Sequence, residues 1–125
     1  MTKETGISLA LGDAIDRISI LSRKIAFGEE GAYKEHTYLT EAIDKLDIPL
    51  SGAILAAIIR ISYANFEVWN RENAFRRGEE LTAEEVKKLM IEVREFNKKR
   101  IEAKNEINRI TEMGFREFKM KHRSA

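Results

Sequence analysis

A ridge of polar side chains interrupts the apolar side of the helix predicted from about Thr82 to Met113. Its members are spaced three, four and four residues apart, which places them on one side of a helix: Asn97, Arg100, Lys104 and Asn108. Arg100 stands where the helical period asks for a large hydrophobic residue, so it needs a carboxylate or an anionic ligand to compensate its desolvation. Arginine and lysine bind phosphates, and asparagine recognises hydroxyls or a base edge. The ridge therefore fits either a core ion pair or a phosphate-bearing ligand.

Two further helices carry similar ridges. The preceding helix in the chain has a ridge whose members are four, three and four residues apart: Asn65, Trp69, Glu72 and Arg76. The first helix has another: Asp13, Asp16, Ile20 and Lys24. Each ridge alone is more typical of a solvated face, because 34% of the residues are charged. Together they combine amides with a tryptophan, whose ring offers a stacking face. Glu72, Asp16 or a bound phosphate is then the expected partner of Arg100.

The sequence lacks several common catalytic motifs. A Gly-rich phosphate loop, a Gly-x-Ser-x-Gly elbow and a His-Glu-x-x-His pair do not occur, and His36 and His122 stand alone. A helical, magnesium-dependent nucleotide pyrophosphohydrolase would place acidic pairs together, and the candidates here are Glu92 with Glu95 and Glu41 with Asp44. Glu92 and Glu95 lie on a richly charged side, which favours a solvated face. We expect a protein that is not an enzyme, with no catalytic residue, metal or cofactor.

Composition restricts the class of protein. The chain has 125 residues, 43% of them hydrophobic, and no cysteine, which excludes disulfides and thiolate chemistry. Its formal net charge of +1 argues against a broad nucleic-acid-binding face, although it permits a local basic pocket. The most apolar run, AILAAIIRISYA, contains an arginine and is too short to span a bilayer. No signal peptide is visible. We therefore expect a cytoplasmic protein with no nucleic-acid or membrane partner.

Apolar periodicity predicts four helices, at about 11–27, 32–46, 51–77 and 82–113. Asp13 or Ser8 is available to cap the first, and Gly28 is placed to end it. Pro49 prevents continuation of the second, because proline lacks the amide hydrogen that a helix needs. Ser51 is the expected N-cap of the third. In that helix the early turns are apolar enough for burial on more than one side: Ile54, Leu55, Ile58 and Ile59.

The fourth helix has the clearest signals. Thr82 and Glu85 have the spacing of a capping box, and Gly114 is the expected stop. Its heptad seam is apolar or small at every position except Arg100: Val86, Leu89, Val93, Phe96, Arg100, Ala103, Ile107 and Ile110. The short link 78–81 favours an antiparallel hairpin with the third helix.

These elements predict an all-α fold, an elongated helical bundle with two long antiparallel helices. We expect one domain over residues 1–125, with a short flexible basic tail at about 115–125. Helices of this length leave a narrow monomer with little core around it. Pairing across a two-fold axis would bury more surface, so we expect a homodimer or a larger symmetric oligomer.

Four short segments resemble small all-helical proteins of phages and bacteria: GDAIDRISILSRKI, NFEVWNRENAFRR, FNKKRIEAKNEIN and FKMKH. Within that group the chain is similar to the phage Thoeris anti-defence sponges. The resemblance implies a non-enzymatic oligomer that sequesters cyclic ADP-ribose signals made by host TIR proteins, or cyclic nucleotides. It also implies the host cytoplasm as the location, if the chain is phage-encoded.

Candidate ligand contacts follow from the resemblance together with the ridges. The resemblance suggests phosphate and ribose contacts from Arg100, Lys104, Asn108 and Arg109. It suggests base stacking on Trp69 and Phe66. The ridges add Asn97, Asn65 and Arg76 to the predicted ligand-binding set. Two alternatives stay open, namely the nucleotide pyrophosphohydrolase and a structural interaction module in which the ridges are ordinary packing and surface.

Overall fold

Four α-helices build the part of the chain that the structure, a computed structural model, describes, residues 10–48, 50–77 and 80–111. They are α1 Leu11–Ala26, α2 Tyr33–Asp44, α3 Gly52–Arg76 and α4 Ala83–Thr111. A single 3₁₀ turn, Glu30–Ala32, leads into α2. Every regular element within the described ranges is helical, so the predicted all-α fold class is confirmed. None of these helices is long and apolar enough to cross a membrane.

Helix ends follow the predicted signals at most positions. Gly28 adopts a positive φ of 89° just after α1, a conformation that glycine reaches without strain. Ser51 caps α3, because its Oγ accepts the amide of Ile54 at 3.2 Å. The remaining end signals fall on Ser8, Pro49, Gly78, Met113, Gly114 and the tail 115–125, all of which lie outside the described residues.

The start of α1 differs from the prediction that Asp13 caps it. Ala10 occupies the N-cap position and makes no side-chain cap bond. Asp13 lies inside the first turn, where its carboxylate is 2.8 Å from the Lys104 ammonium group. The prediction of an Asp13 cap is therefore wrong, because the partner on α4 takes the carboxylate that a cap would need.

The capping box of α4 is confirmed in both directions. The Glu85 amide donates to Thr82 Oγ1 at 3.1 Å, and the Thr82 amide donates to Glu85 Oε1 at 2.8 Å. Each bond satisfies an amide that the first helical turn leaves without a backbone partner.

Replacing Thr82 by alanine is expected to lower the free energy of unfolding by about 1 kcal/mol, because it removes the cap that holds the Glu85 amide. Urea denaturation followed by circular dichroism measures the change. Thr82→Ser keeps the hydroxyl and is expected to stay close to the parent protein. Equal losses for both substitutions would show that the capping bond does not stabilise α4.

Two apolar clusters hold the helices together. The larger joins α1, α3 and α4 through Leu11, Ala57, Ile61, Ala103 and Ile107. The smaller attaches α2 to α1 through Leu21, Ala32 and Leu39. All eight positions of the predicted α4 seam are buried or partly buried, Arg100 included. Periodicity thus identified the face of α4 that meets the rest of the bundle.

The long helices α3 and α4 contact each other along much of their lengths. Near the end of α3, Arg71 donates to Glu92 in the first half of α4 at 2.9 Å. Further back in α3, the Tyr63 ring lies 5.9 Å from the Phe96 ring, centroid to centroid. The larger apolar cluster brings the early part of α3 to the late part of α4.

The prediction that the early turns of α3 are buried on more than one side is wrong. Ile54 is buried and Ile58 is partly buried, whereas Leu55 is 46% and Ile59 is 59% exposed. No helix in the described ranges covers the side that these two residues share. With Tyr63 they form an exposed apolar stripe at four-residue spacing, called here the α3 stripe.

Candidate ligand-binding cleft

A cleft of about 500 Å³ opens between α1, α3 and α4. Five of the nine predicted ligand-binding residues line it: Asn65, Trp69, Arg76, Asn97 and Arg100. They come from the second half of α3 and the middle of α4, which carry two of the three predicted ridges. A cleft of this size lies within the range that small-molecule ligands occupy. Parts of the ridges therefore meet at a shared space.

Behind the cleft, Arg100 pairs with Asp16 of α1. Its Nε donates to both carboxylate oxygens at 3.0 Å, and its Nη2 lies 2.9 Å from Oδ2. Asp16 is only 4% exposed and also accepts a 2.9 Å bond from Asn65 Nδ2. The partner that the sequence left open between Asp16, Glu72 and a phosphate is thus Asp16 in this structure. The pair compensates the desolvation of both charges.

The remaining contacts of Arg100 orient its guanidinium. Nη1 donates to Asn97 Oδ1, one turn earlier on α4, at 2.9 Å. A guanidinium carries five N–H donors, so the bonds to Asp16 and Asn97 leave part of it uncommitted. Lys104 follows one turn later, 3.9 Å from Asp16 Oδ2. Arg100 is consequently held rigidly at the wall of the cleft while keeping donors for a ligand.

An aromatic pair forms another wall of the cleft. The rings of Phe27 and Trp69 are 4.9 Å apart between centroids and tilted by 32°. Phe27 immediately follows α1 and was not among the predicted residues. The sequence feature that could have identified this residue is its position directly before a helix-ending glycine. The chain turns there, and the ring is left beside the end of the helix.

Charges at the rim of the cleft nearly balance. Lys24 lies 3.9 Å from Glu29, and Arg76 donates to Glu72 at 3.3 Å. Both pairs are well exposed, so each contributes little to stability and can exchange its partner for a ligand. Lys24 and Glu72 belong to the ridges seen in the sequence, but neither was in the predicted ligand-binding set.

The other four predicted ligand-binding residues lie outside the cleft. Lys104 binds Asp13, and Asn108 Oδ1 accepts the Gly12 amide at 2.7 Å. Arg109 is an exposed partner of Glu106 on its own helix. The Phe66 ring lies 4.9 Å from the guanidinium carbon of Arg23.

Lys104 and Asn108 instead join α4 to the start of α1. A Cβ atom added at Gly12 would lie 2.3 Å from the Lys104 carbonyl oxygen, so the two backbones touch at this point. This close approach fixes where α4, and with it Arg100, stands relative to α1.

The hydrolase alternative had two acidic pairs; Glu41 and Asp44 are both exposed, and in the other pair one carboxylate binds an arginine. Glu92 accepts the 2.9 Å bond from Arg71 Nε, while Glu95 is exposed. Hydrogen bonds from Arg71 to Glu67 and then to Glu92 raise the pKa of Arg71, which ties this cation firmly to its carboxylates. Among the described residues no three His, Asp or Glu side chains are grouped to hold a metal ion.

Comparison with known proteins finds no matching protein family, curated protein or solved structure. The function is therefore inferred from the cleft and from the resemblance in the four sequence segments.

Proposed function

We propose that this protein binds a nucleotide-derived signalling molecule, of the cyclic nucleotide or cyclic ADP-ribose type, and sequesters it without turning it over. The observation that carries the proposal is the convergence of an aromatic pair, two amides and three cations on one cleft. Such a set matches the three parts of a nucleotide, namely a flat base, hydroxyl-bearing ribose and phosphate. The anti-defence role follows from the resemblance to the sponges.

Each part of the ligand has a suitable partner in the cleft. The Trp69 and Phe27 rings offer faces for the base. The amides of Asn65 and Asn97 are suited to a base edge or a ribose hydroxyl, and both already make hydrogen bonds that fix their position. Arg76 at the rim is suited to phosphate, since its contact with Glu72 is exposed and exchangeable.

The charge of the cleft favours a ligand with few negative charges. Its lining contains the cations Lys24, Arg76 and Arg100 against the carboxylates Glu29 and Glu72. Arg100 is moreover neutralised by Asp16. These charges cancel, so a triphosphate would meet too little positive charge there, whereas the single phosphate charge of a cyclic nucleotide needs only one exchangeable cation, such as Arg76. We therefore expect cyclic mononucleotides to bind more tightly than ATP.

We further propose that the functional unit is a symmetric homo-oligomer with α3 and α4 antiparallel in each chain. The order of contacts between these helices supports the antiparallel arrangement. The α3 stripe of Leu55, Ile59 and Tyr63 supports self-association, because a second copy would bury apolar side chains that the described chain leaves exposed.

Ligand release separates the candidate functions. The purified protein is incubated with cyclic nucleotides, cyclic ADP-ribose or ATP, with and without Mg²⁺, washed and then heated, and the supernatant is examined by mass spectrometry. Recovery of intact ligand is the expected result. A hydrolysed product that depends on Mg²⁺ would support the pyrophosphohydrolase instead, and retention of none of these compounds would favour a structural module.

Removing the stacking face is expected to weaken binding of the retained nucleotide. Trp69→Ala should cost about 1–3 kcal/mol of binding free energy, the usual contribution of a base stacked on an aromatic ring. Arg76→Met should weaken binding through loss of the phosphate contact, and it is 60% exposed in its side chain, so the fold should tolerate it. Isothermal titration calorimetry measures both.

Arg94→Met is the matched control for Arg76→Met, because Arg94 is an exposed arginine that does not line the cleft. Its affinity should equal that of the parent protein. If Arg94→Met weakened binding as much as Arg76→Met, the effect would reflect net charge and the cleft assignment would fail.

A further inference from the structure

A second and more apolar cleft of about 630 Å³ lies on the other half of the α1–α3 contact and reaches the connection after α2. Half of the residues that line it are isoleucines: Ile15, Ile18, Ile43, Ile48, Ile54 and Ile58. None of these residues lines the nucleotide cleft. An apolar space of this volume, bounded by branched aliphatic side chains, suits a hydrocarbon chain.

One end of this apolar cleft is polar. Ser19, Ser22 and Ser62 line it there, together with Arg23. The Ser19 hydroxyl donates to Ser62 Oγ at 3.4 Å, a long bond that a better acceptor would readily replace. The cleft therefore combines a hydrocarbon-lined body with a cluster of hydroxyl groups and one cation.

Arg23 differs from the other partly buried arginines of this bundle. Arg71 and Arg100 each bind a carboxylate, from Glu92 and Asp16 respectively. Among the residues that the structure describes, no carboxylate lies within ion-pair distance of Arg23. Its guanidinium instead donates to the Ser62 carbonyl at 3.2 Å and lies 4.9 Å from the Phe66 ring centroid and 5.9 Å from that of Trp69.

A partly buried guanidinium with no anion beside it is unfavourable. Burial lowers the pKa of Arg23, which reports the desolvation that its protonated form experiences. A carbonyl and two aromatic faces compensate a full charge only in part. An anionic group at the polar end of the cleft would complete the compensation.

The geometry points to an amphipathic carboxylate, of the fatty-acid type, as the ligand of this apolar cleft. Its hydrocarbon chain lies among the isoleucines and its carboxylate binds Arg23, with serine hydroxyls as further donors. A neutral lipid would leave Arg23 unpaired, and a nucleotide would press its polar ribose against isoleucines. The two clefts share no lining residue, but they adjoin: Arg23 lies 5.9 Å from the Trp69 ring centroid, and Ser19 Oγ accepts a 3.3 Å hydrogen bond from Asn65. Binding of the carboxylate and of the nucleotide is therefore measured separately for each variant, which distinguishes failure of one proposal from failure of the other.

Chain-length dependence tests the apolar part of the site. Octanoate, decanoate and dodecanoate are titrated into the full chain by calorimetry, each below its micelle concentration. Each added methylene is expected to tighten binding about fourfold until the cleft is filled. Decanol and decyltrimethylammonium, which lack the negative charge, are expected to bind more weakly than decanoate. Affinity that does not change with chain length would overturn the proposal.

Substitution of Arg23 tests the polar end. Arg23→Met should weaken decanoate binding roughly tenfold or more, the usual loss when a charge-assisted hydrogen bond is removed. It should leave decanol binding unchanged, and thermal unfolding should show a folded protein of equal or higher stability. Arg23→Lys keeps the charge and should retain part of the affinity. Arg60→Met, at an exposed arginine outside this cleft, should behave as the parent protein.

Two outcomes contradict the assignment of the carboxylate to Arg23. Equal decanoate affinities of Arg23→Met and the parent protein would show that Arg23 does not bind the carboxylate. Absence of saturable decanoate binding to the folded parent protein would overturn the proposal, whatever its oligomeric state.

Discussion

Replacing Asp16 by alanine is expected to lower the free energy of unfolding by about 3 kcal/mol, because the substitution leaves Arg100 without its anion inside the bundle. Asp16 is 4% exposed and accepts hydrogen bonds from Arg100 and Asn65. Losing one partner of a buried ion pair is costly, since the other charge stays desolvated. The Arg100 side chain keeps 27% exposure, so water relieves part of this cost. Urea denaturation measures the loss.

A double-mutant cycle shows whether the loss belongs to the pair. Arg100→Met alone should also destabilise the protein, because Asp16 then loses the cation that binds both its oxygens and keeps the Asn65 amide and the more distant Lys104 ammonium group. The double variant Asp16→Ala/Arg100→Met removes both charges and should be more stable than the sum of the two single effects predicts. Additive effects would mean that Asp16 and Arg100 do not stabilise each other, and would contradict the ion pair.

The same variants separate a structural role of Arg100 from a ligand-binding role. If Arg100 donates to the nucleotide as well as to Asp16, the double variant should regain stability but not affinity. Restored stability with full affinity would show that Arg100 serves only as a core ion pair. In that case the binding residues of the cleft would be reduced to Trp69, Arg76 and the two amides.

Local signals in the sequence predicted the helices well, because caps and periodicity act within one or two turns. The capping box at Thr82 and the positive φ at Gly28 both appear in the structure. The α4 seam also faces the bundle, including its one charged member. These features depend on neighbours in the chain, which the sequence displays directly.

The partners of polar residues were harder to predict, because they depend on how helices approach each other. Asn108 lies on the same ridge as Arg100, yet it binds the Gly12 amide at the α1–α4 contact and not a cleft. Asp13 was expected to cap α1 and instead binds Lys104. Spacing places residues on a common helix face, but it does not say which part of that face another helix covers. Leu55 and Ile59 failed as core predictions for the same reason.

The backbones of α1 and α4 touch at Gly12, and Gly12→Ala is expected to destabilise the protein by about 2–3 kcal/mol. The new Cβ would lie 2.3 Å from the Lys104 carbonyl oxygen and 3.0 Å from Asn108 Oδ1. A helix backbone cannot rotate away as a flexible side chain does, so α4 must shift. That shift strains the Asn108 bond to the Gly12 amide and the nearby Lys104–Asp13 pair.

The sign of the Gly12→Ala effect is diagnostic, because alanine is intrinsically about 1 kcal/mol more favourable than glycine within a helix. Gly52→Ala provides the matched control, since Gly52 is also helical and a Cβ atom added there would meet nothing within 4 Å. That control should be neutral or slightly stabilising in the same denaturation experiment. If both alanines behaved alike, α1 and α4 would not touch at Gly12. Because α4 also carries Arg100 and Asn97 into the cleft, Gly12→Ala should weaken nucleotide binding as well, while Gly52→Ala should not.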